Sequence, residues 1–363
     1  MAEKLSNSSS ATPRNETGWY RGTGPRESVI VASRIRLSRN ISGKRFPHKM
    51  EIKEEQEVQE LIENAFSNIK RVRGKSSLPV TLRLKNLSPR KRKMLIEKHF
   101  ISQQFSLEKE KSLVFDEKEM LGGMINEKDH LRLASFTPGL SLEEAYRNIL
   151  PLEKELEKSL DFAVSLDRGY LTPAIKQCGT GLRGSVLLHL PALENSSLLE
   201  RAFKSVMQEG LSVKGFMGDD NHSLGYFYQL YNPVGIGESE KEIIEKLART
   251  ASQLVDYEEK VREEMVRHKR LEVEDIVWRA YGILLHCRMI DEREAIGLLS
   301  DLRLGVALGW IDLPFARLNS LFVESRKAHV QERVNGDESE ITVHTVKHER
   351  ARMIRELLLP DRQ

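Results

Sequence analysis

Two arginines placed two residues apart, Arg34 and Arg36 in Ser33-Arg34-Ile35-Arg36-Leu37, are the first residues along the chain whose types and spacing suggest chemistry. On a strand they point to one face while Ile35 and Leu37 point to the other. Guanidiniums aimed together repel unless an anion lies between them, and arginine's planar fork suits phosphate oxygens. A solvated strand face would account for the same spacing. A second polar set, Lys128, His130 and Arg132, shares one parity, with Leu131 and Leu133 on the other. A third candidate is Gly179-Thr180-Gly181-Leu182-Arg183-Gly184-Ser185, a glycine-rich turn leading into an apolar strand. It is not a P-loop, because GxxxxGK[ST] is absent, but its glycines would let backbone amides approach an anion.

Composition narrows the field. The chain has 363 residues, room for two domains, and its formal net charge is only +3, which argues against a nucleic-acid coat. Cys178 and Cys287 form neither a CxxC nor a zinc spacing, as expected of a reducing cytoplasm. No apolar run approaches the roughly 18 residues of a membrane span. Residues 1–27 read as a disordered tail with no signal-peptide stretch.

The elements that must carry these residues follow from periodicity. Strands are expected around Val29–Leu37, Pro79–Leu84, Leu113–Phe115, Gly122–Leu133, Val186–Leu190 and Tyr226–Leu230. Helices are expected over Lys53–Ile69, from Ser88-Pro89 through His99, after a capping box at Ser141–Glu144, and over Asn195–Gly210. The mixture lacks a βαβ rhythm, so the fold class is α+β, an antiparallel sheet flanked by helices. From Ser239 onward the pattern turns helical: Glu240–Arg270, Val273–Cys287, Asp291–Leu302 and Val346–Leu358, with a turn at Asn335-Gly336-Asp337. The expected plan is residues 28–254 as a mixed α+β domain and 255–363 as an all-helical one.

In order and wording, three of these segments resemble signatures of the ATP:guanido phosphotransferases, which include the phosphagen kinases and the bacterial protein arginine kinases. They are Val31–Asn40, Ile125–Arg132 and Gly179–Val186. Leu95–Ser102, Gly169–Thr172, Tyr281–Leu284 and Leu302–Gly305 fit the same family. The resemblance implies an ATP site on Arg34, Arg36, His99, Arg132 and Arg183. It is framed by Ala32–Arg36 (Ala32, Ser33, Ile35), by Arg183–Leu187 (Gly184, Ser185, Val186, Leu187) and by the loop Lys214, Gly215, Phe216, Met217, Gly218, Asp219. Mg²⁺ is implied with the nucleotide. Lys214 stands where the family usually has arginine and gives up the bidentate fork. Small-molecule phosphagen kinases carry an extra N-terminal helical domain, whereas here the first signature begins near residue 31. The implied acceptor is therefore the guanidinium of arginines exposed on protein substrates. A homodimer, degradation or stress-response partners and a cytoplasmic setting are implied as well, and neither nucleic acid nor membrane.

The acceptor side departs from the family. A guanidinium, with a pKa above ~12, must give up a proton to attack the γ-phosphate. The family's base is the second acid of Asn-Glu-Glu-Asp-His, and the matching residue is Lys128, beside Glu127. On a strand Glu127 would face away from the position of Lys128. Ala174 stands at the family's cysteine position, Cys178 at an apolar one, and the second substrate-binding acid becomes Asp219. Of an Arg-Asp-x-x-Arg-Ala phosphoarginine-binding motif only Arg350 and Ala351 fit, which argues against such a pocket. The expected function is ATP-dependent phosphoryl transfer to protein arginines, with Glu127 and Asp219 as catalytic acids and activity that is potentially reduced. The alternative is a catalytically impaired, ATP-binding pseudokinase acting as an adaptor.

Overall fold

The computed structural model describes residues 18–69, 80–107, 111–216, 223–334 and 341–359. In chain order come β1 (Ile30–Arg39), α1 (Ile52–Ser67), β2 (Val80–Arg83), α2 (Pro89–Glu97), α3 (Gln103–Leu107), β3 (Ser112–Phe115), β4 (Leu121–Ile125) and β5 (Leu131–Pro138). Next are α4 (Leu142–Glu157), β6 (Val164–Ser165), β7 (Gly169–Tyr170), β8 (Leu182–His189), α5 (Pro191–Asn195), α6 (Leu199–Gln208), β9 (Ser212–Gly215) and β10 (Phe227–Tyr231). The helical remainder is α7 (Glu240–His286), α8 (Glu292–Ala307), α9 (Phe315–Glu324), α10 (Lys327–Arg333) and α11 (Val343–Leu358).

Among the described residues, eight strands form one antiparallel sheet in the order β2-β3-β4-β5-β1-β8-β10-β9, so the arginine-bearing β1 is central. Its odd residues Ile35 and Leu37 are apolar and point to the face covered by α4 and the first half of α7. There they join Leu131, Leu133, Val186, Ile149, Leu247 and Ala251 in the main core. That burial fixes the register, because a one-residue slip would send the arginines into the core. A second core lies between α7, α8, α9 and α11, around Val277, Leu299, Leu321 and Met353. A third joins the sheet's other face to the helical region through Trp19, Phe136, Phe227, Ile296 and Phe322.

Several expectations shift. The expected tail holds ordered residues: Trp19 and Tyr20 are buried, and Trp19 stacks on Phe136 with ring centroids 6.1 Å apart. Gly122–Leu133 is two strands with a turn between them, because Asn126 adopts φ 60° and ends β4. Helix α2 stops at Glu97, short of His99. Ser141 precedes α4 but its hydroxyl makes no capping bond, and its N–H donates to Ser33 Oγ; a capping box is formed at Ser239–Glu242. The two helices expected over Glu240–Cys287 form one run interrupted only at Lys269 (φ −138°). Main-core residues continue to Val261, so the change of core falls beyond the expected boundary at 255. Pro79 and the turn at Asn335-Gly336-Asp337 lie outside the described residues.

Candidate active site

Antiparallel register puts directly opposed side chains on one face. Arg36 faces Arg183 across β1 and β8, Arg34 faces Ser185, and Ser38 faces Arg132 across β1 and β5. Farther along the same face, Gln229 of β10 opposes both Leu187 of β8 and Lys214 of β9. Above this face opens a cleft of about 750 Å³ whose walls include Arg34, Arg36, Arg132, Arg183, Lys214 and Gln229. Distant segments thus deliver cations to one surface through the hydrogen-bond ladder alone.

The cations differ in their neutralisation. Among the described residues, Arg34, Arg36 and Arg183 have no carboxylate partner. Arg34 lies over the Phe136 ring at 5.5 Å and Arg183 over the Tyr231 ring at 4.2 Å, contacts that suit a desolvated guanidinium. Burial, then the neighbouring Arg183 and Arg132, pushes the Arg34 pKa down to about 10. Arg36 is lowered further, by burial and then by Arg34 and its neighbours, and Arg183 is lowered mainly by burial. Such a cluster raises the folded state's energy until an anion enters.

Arg132 is the exception. Its Nη2 donates to Asp129 Oδ2 at 3.0 Å and its Nη1 to Glu127. Asp129 in turn accepts from Asn40 Nδ2 at 3.0 Å, and Asn40 Oδ1 accepts from the His130 N–H at 2.9 Å. The turn at 126–130 is thereby braced against the end of β1. His130 Nδ1 accepts from the Ile41 N–H at 2.9 Å, so its Nε2–H donates to the Arg45 carbonyl. The expected shared face of Lys128, His130 and Arg132 does not exist, since His130 is fully buried while Lys128 lines the cleft. Nor does Glu127 face away. In a turn strand parity lapses, and both Glu127 and Lys128 border the cleft.

His99 follows α2 with φ 59°, and its ring packs 4.1 Å from that of Phe216. Burial, followed by Arg326, Arg34 and Lys214, holds its pKa well below 6.5, so it is neutral. A small apolar hollow adjoins the cleft here, walled by Trp19, Ala32, Phe136, Leu187 and Phe216.

Other expected positions serve packing. Ser33 Oγ donates to the Gly139 carbonyl at 2.7 Å, and Ile35 and Val186 are core residues. The Gly184 N–H bonds Asn232 Oδ1 at 2.8 Å, and a Cβ on Gly184 would sit 2.5 Å from Leu247. These four residues place no side chain on the cation face. Gly181 is glycine because β1 presses on it: a Cβ there would lie 2.7 Å from the Ser38 carbonyl. The glycine-rich turn therefore provides close strand approach, not an anion nest. Gly215 ends β9, next to Phe216. Met217, Gly218 and Asp219 lie outside the described residues. Ala174 borders the cleft, whereas Cys178 is buried with its Sγ 3.7 Å from the Thr172 carbonyl. Phe136, Gln229 and the bracing pair Asn40–Asp129 had no short-range sequence signal beyond adjacency to the arginine motifs.

In the tail, Arg350 is buried and donates to the carbonyls of Ser325 (2.6 Å) and Ile290 (2.9 Å). Among the described residues, no His, Cys, Asp and Glu cluster could hold a metal ion, and no helix is long and apolar enough to cross a membrane.

An arginine-floored cleft on an antiparallel sheet is the plan of the guanido kinases, and solved structures of that class share this fold. A duplicated taurocyamine kinase from Schistosoma mansoni superposes with a TM-score of 0.57 at 23% identity, over 65% of this chain and 34% of that one. Lombricine kinase gives 0.56 at 23% identity, over 66% and 68% of the two chains. The family model of the ATP:guanido phosphotransferase C-terminal catalytic domain matches residues 57–261, and that of the protein-arginine kinase McsB C-terminal domain matches 270–363. The chain is 38% identical to the protein-arginine kinase of Syntrophomonas wolfei subsp. wolfei, over 94% of each protein. It is 34% identical to that of Bacillus subtilis, over 88% of each. The chain belongs to the ATP:guanido phosphotransferase family, in its protein-arginine kinase branch, and is a kinase.

Proposed function

We propose that the cleft binds ATP along Arg34, Arg36 and Arg183 and that its γ-phosphoryl group passes to the guanidinium of an arginine on a protein substrate. The observation that carries this reading is the set of partly buried arginines without carboxylate partners on one sheet face, whose pKa values are pushed down by burial and by each other. Polyphosphate supplies the missing negative charge, and the cations then stabilise the charge on the transferring group. The packed rings of His99 and Phe216 on the cleft wall offer the base an aromatic surface. Mg²⁺ would enter on the phosphates, where it offsets developing charge.

On the acceptor side, Glu127 borders the cleft beside Lys128, and Glu55 and Asp129 line it as well. In the transfer a guanidinium nitrogen forms the bond to the γ-phosphorus, the bond to the β–γ bridging oxygen breaks, and ADP leaves. The guanidinium proton passes to a carboxylate, which we take to be that of Glu127, with Asp219 as the second acid. Lys128 borders the same cleft and repels an incoming guanidinium, so transfer is slow by the standard of an acidic pair. The same reading includes a cytoplasmic setting, a homodimer and a place among degradation or stress-response proteins.

Incubation with ATP, Mg²⁺ and an arginine-rich protein should yield acid-labile phosphoarginine detectable by mass spectrometry. Its complete absence with ATP binding intact would favour the second reading, a nucleotide-binding pseudokinase, which Lys128 and Ala174 motivate. A gain of activity in Lys128→Glu combined with Ala174→Cys is then the sign that only the acceptor side has lapsed.

A further inference from the structure

We propose that Glu97 is a positioning residue through which the C-terminal helices set the nucleotide end of the cleft. Glu97 ends α2 and is only 1% exposed. Its Oε1 accepts from the Ala328 N–H at 2.9 Å, and its Oε2 accepts from the His329 N–H at 3.2 Å and meets His329 Nδ1 at 2.8 Å. One carboxylate thus gathers three donors from the first turn of α10. Burial raises its pKa, but the bonds from His329 and Ala328 outweigh that and hold it below the usual carboxylate value. A buried acceptor that loses such donors bears its full desolvation penalty, so α2 and α10 move together or not at all.

What lies two residues beyond Glu97 gives this bond its consequence. The chain turns there through His99 at φ 59°, and that turn aims the imidazole into the cleft against Phe216. A left-handed non-glycine residue persists only where its surroundings over-determine it. The surroundings here are the end of α2, with the Phe100 N–H on the Leu95 carbonyl at 3.0 Å, and the start of α10. Arg326, the residue preceding α10, is the foremost charge acting on His99, ahead of Arg34 and Lys214. It is itself tied to Glu292 of α8 at 3.3 Å. At the other end of α2, Arg90 pairs with Glu332 at 3.6 Å. The helical region therefore grips α2 along its length and ends on the residue pair that fixes His99. Glu97 does not border the cleft, so it acts through His99 and not on the nucleotide.

This inference rests on the cleft being the ATP site, and its test separates the two. ATP affinity would be measured by direct titration in wild type, Glu97→Ala, Glu97→Gln and His329→Gln, together with KM for ATP, KM for the acceptor protein, kcat and the unfolding temperature. We expect Glu97→Ala to weaken ATP binding about tenfold and His329→Gln about threefold, since the latter keeps both backbone donors. Acceptor KM and kcat at saturating ATP should stay within about twofold, as no group at the reacting atoms changes. Should Glu97→Ala not fold, the two conservative variants still carry the comparison. Folded variants with a lowered unfolding temperature and unchanged ATP affinity would overturn the proposal, leaving Glu97 as a staple alone. So would a fall in kcat with ATP affinity unmoved. A wild type that binds no ATP removes both the reading of the cleft and this inference, whereas one that binds without transfer leaves the titration decisive.

Discussion

The two sides of the cleft are built from different materials. On the proposed reading, the nucleotide side stands on the middle of a sheet, where β5, β1 and β8 deliver Arg132, Arg34, Arg36 and Arg183 by register. The acceptor side stands on the 126–130 turn and on the segment around Ala174. Strand residues are held by ladders on both edges and by a core beneath, so like charges can be kept together against their repulsion. In the turn, one change of residue type alters the charge of the site without disturbing the ladder. Positional precision therefore belongs to the phosphate grip, and chemical variability to the acceptor.

The most severe way to break this comparison is to remove the grip. Replacing both Arg34 and Arg183 with alanine should weaken ATP binding by about a hundredfold to ten-thousandfold, read by titration calorimetry, because charge-assisted phosphate contacts are each worth roughly 1.5–3 kcal/mol. The same variant should unfold at a higher temperature than nucleotide-free wild type. The sign follows from the pKa of Arg34, about 10 in the fold and so below that of the free side chain. Below pH 10 the folded state carries a cation that the unfolded chain solvates better, so the charge destabilises at neutral pH. That penalty fades only as pH rises above about 10, where the folded state sheds the proton first. A drop in unfolding temperature would mean that the arginines are structural.

Next in size is the acceptor side. Lys128→Glu should increase phosphoarginine formation by roughly tenfold to a hundredfold, by exchanging repulsion of the guanidinium for attraction and adding a base. ATP affinity should fall slightly, since a cation leaves the cleft. An unchanged rate would show that Glu127 already performs the task and that the lysine is incidental. Smaller still is Lys214→Arg, expected to lower KM for ATP about threefold by restoring a bidentate fork.

How much of this was legible in the sequence follows the same division. Arg34 and Arg36 were readable because strand alternation is a two-residue signal with apolar partners at Ile35 and Leu37. The turn at 126–130 was not, since its polar residues happen to continue the strand's parity and only the φ of Asn126 breaks it. His99 lies on the cleft wall, but in a turn beyond the helix expected to carry it, because helix-forming residues continue through Lys98 while α2 ends at Glu97. Helices α9 and α10 escaped the periodicity, being only 10 and 7 residues long. Gln229 reaches the cleft, and Phe136 the hollow beside it, purely through strand pairing across the sheet, which no local pattern announces.

The finest test of the two-faced sheet concerns Ser33, which lies between the strand's two alternating patterns. Its segment frames the cleft, yet its hydroxyl is turned away. It donates to the Gly139 carbonyl at 2.7 Å and accepts from the Ser141 N–H at 3.1 Å. Ser33→Ala would leave a buried carbonyl and a buried N–H without that partner, at a cost of about 1–3 kcal/mol. In a domain of this size the unfolding temperature should fall by roughly 2–4 °C for each kcal/mol. ATP affinity should change by less than about twofold, because β1 keeps its ladders to β5 and β8 and Arg34 keeps its place opposite Ser185. A larger loss of ATP affinity at unchanged stability would assign Ser33 to the nucleotide after all. The sheet's two faces would then not be separate in function.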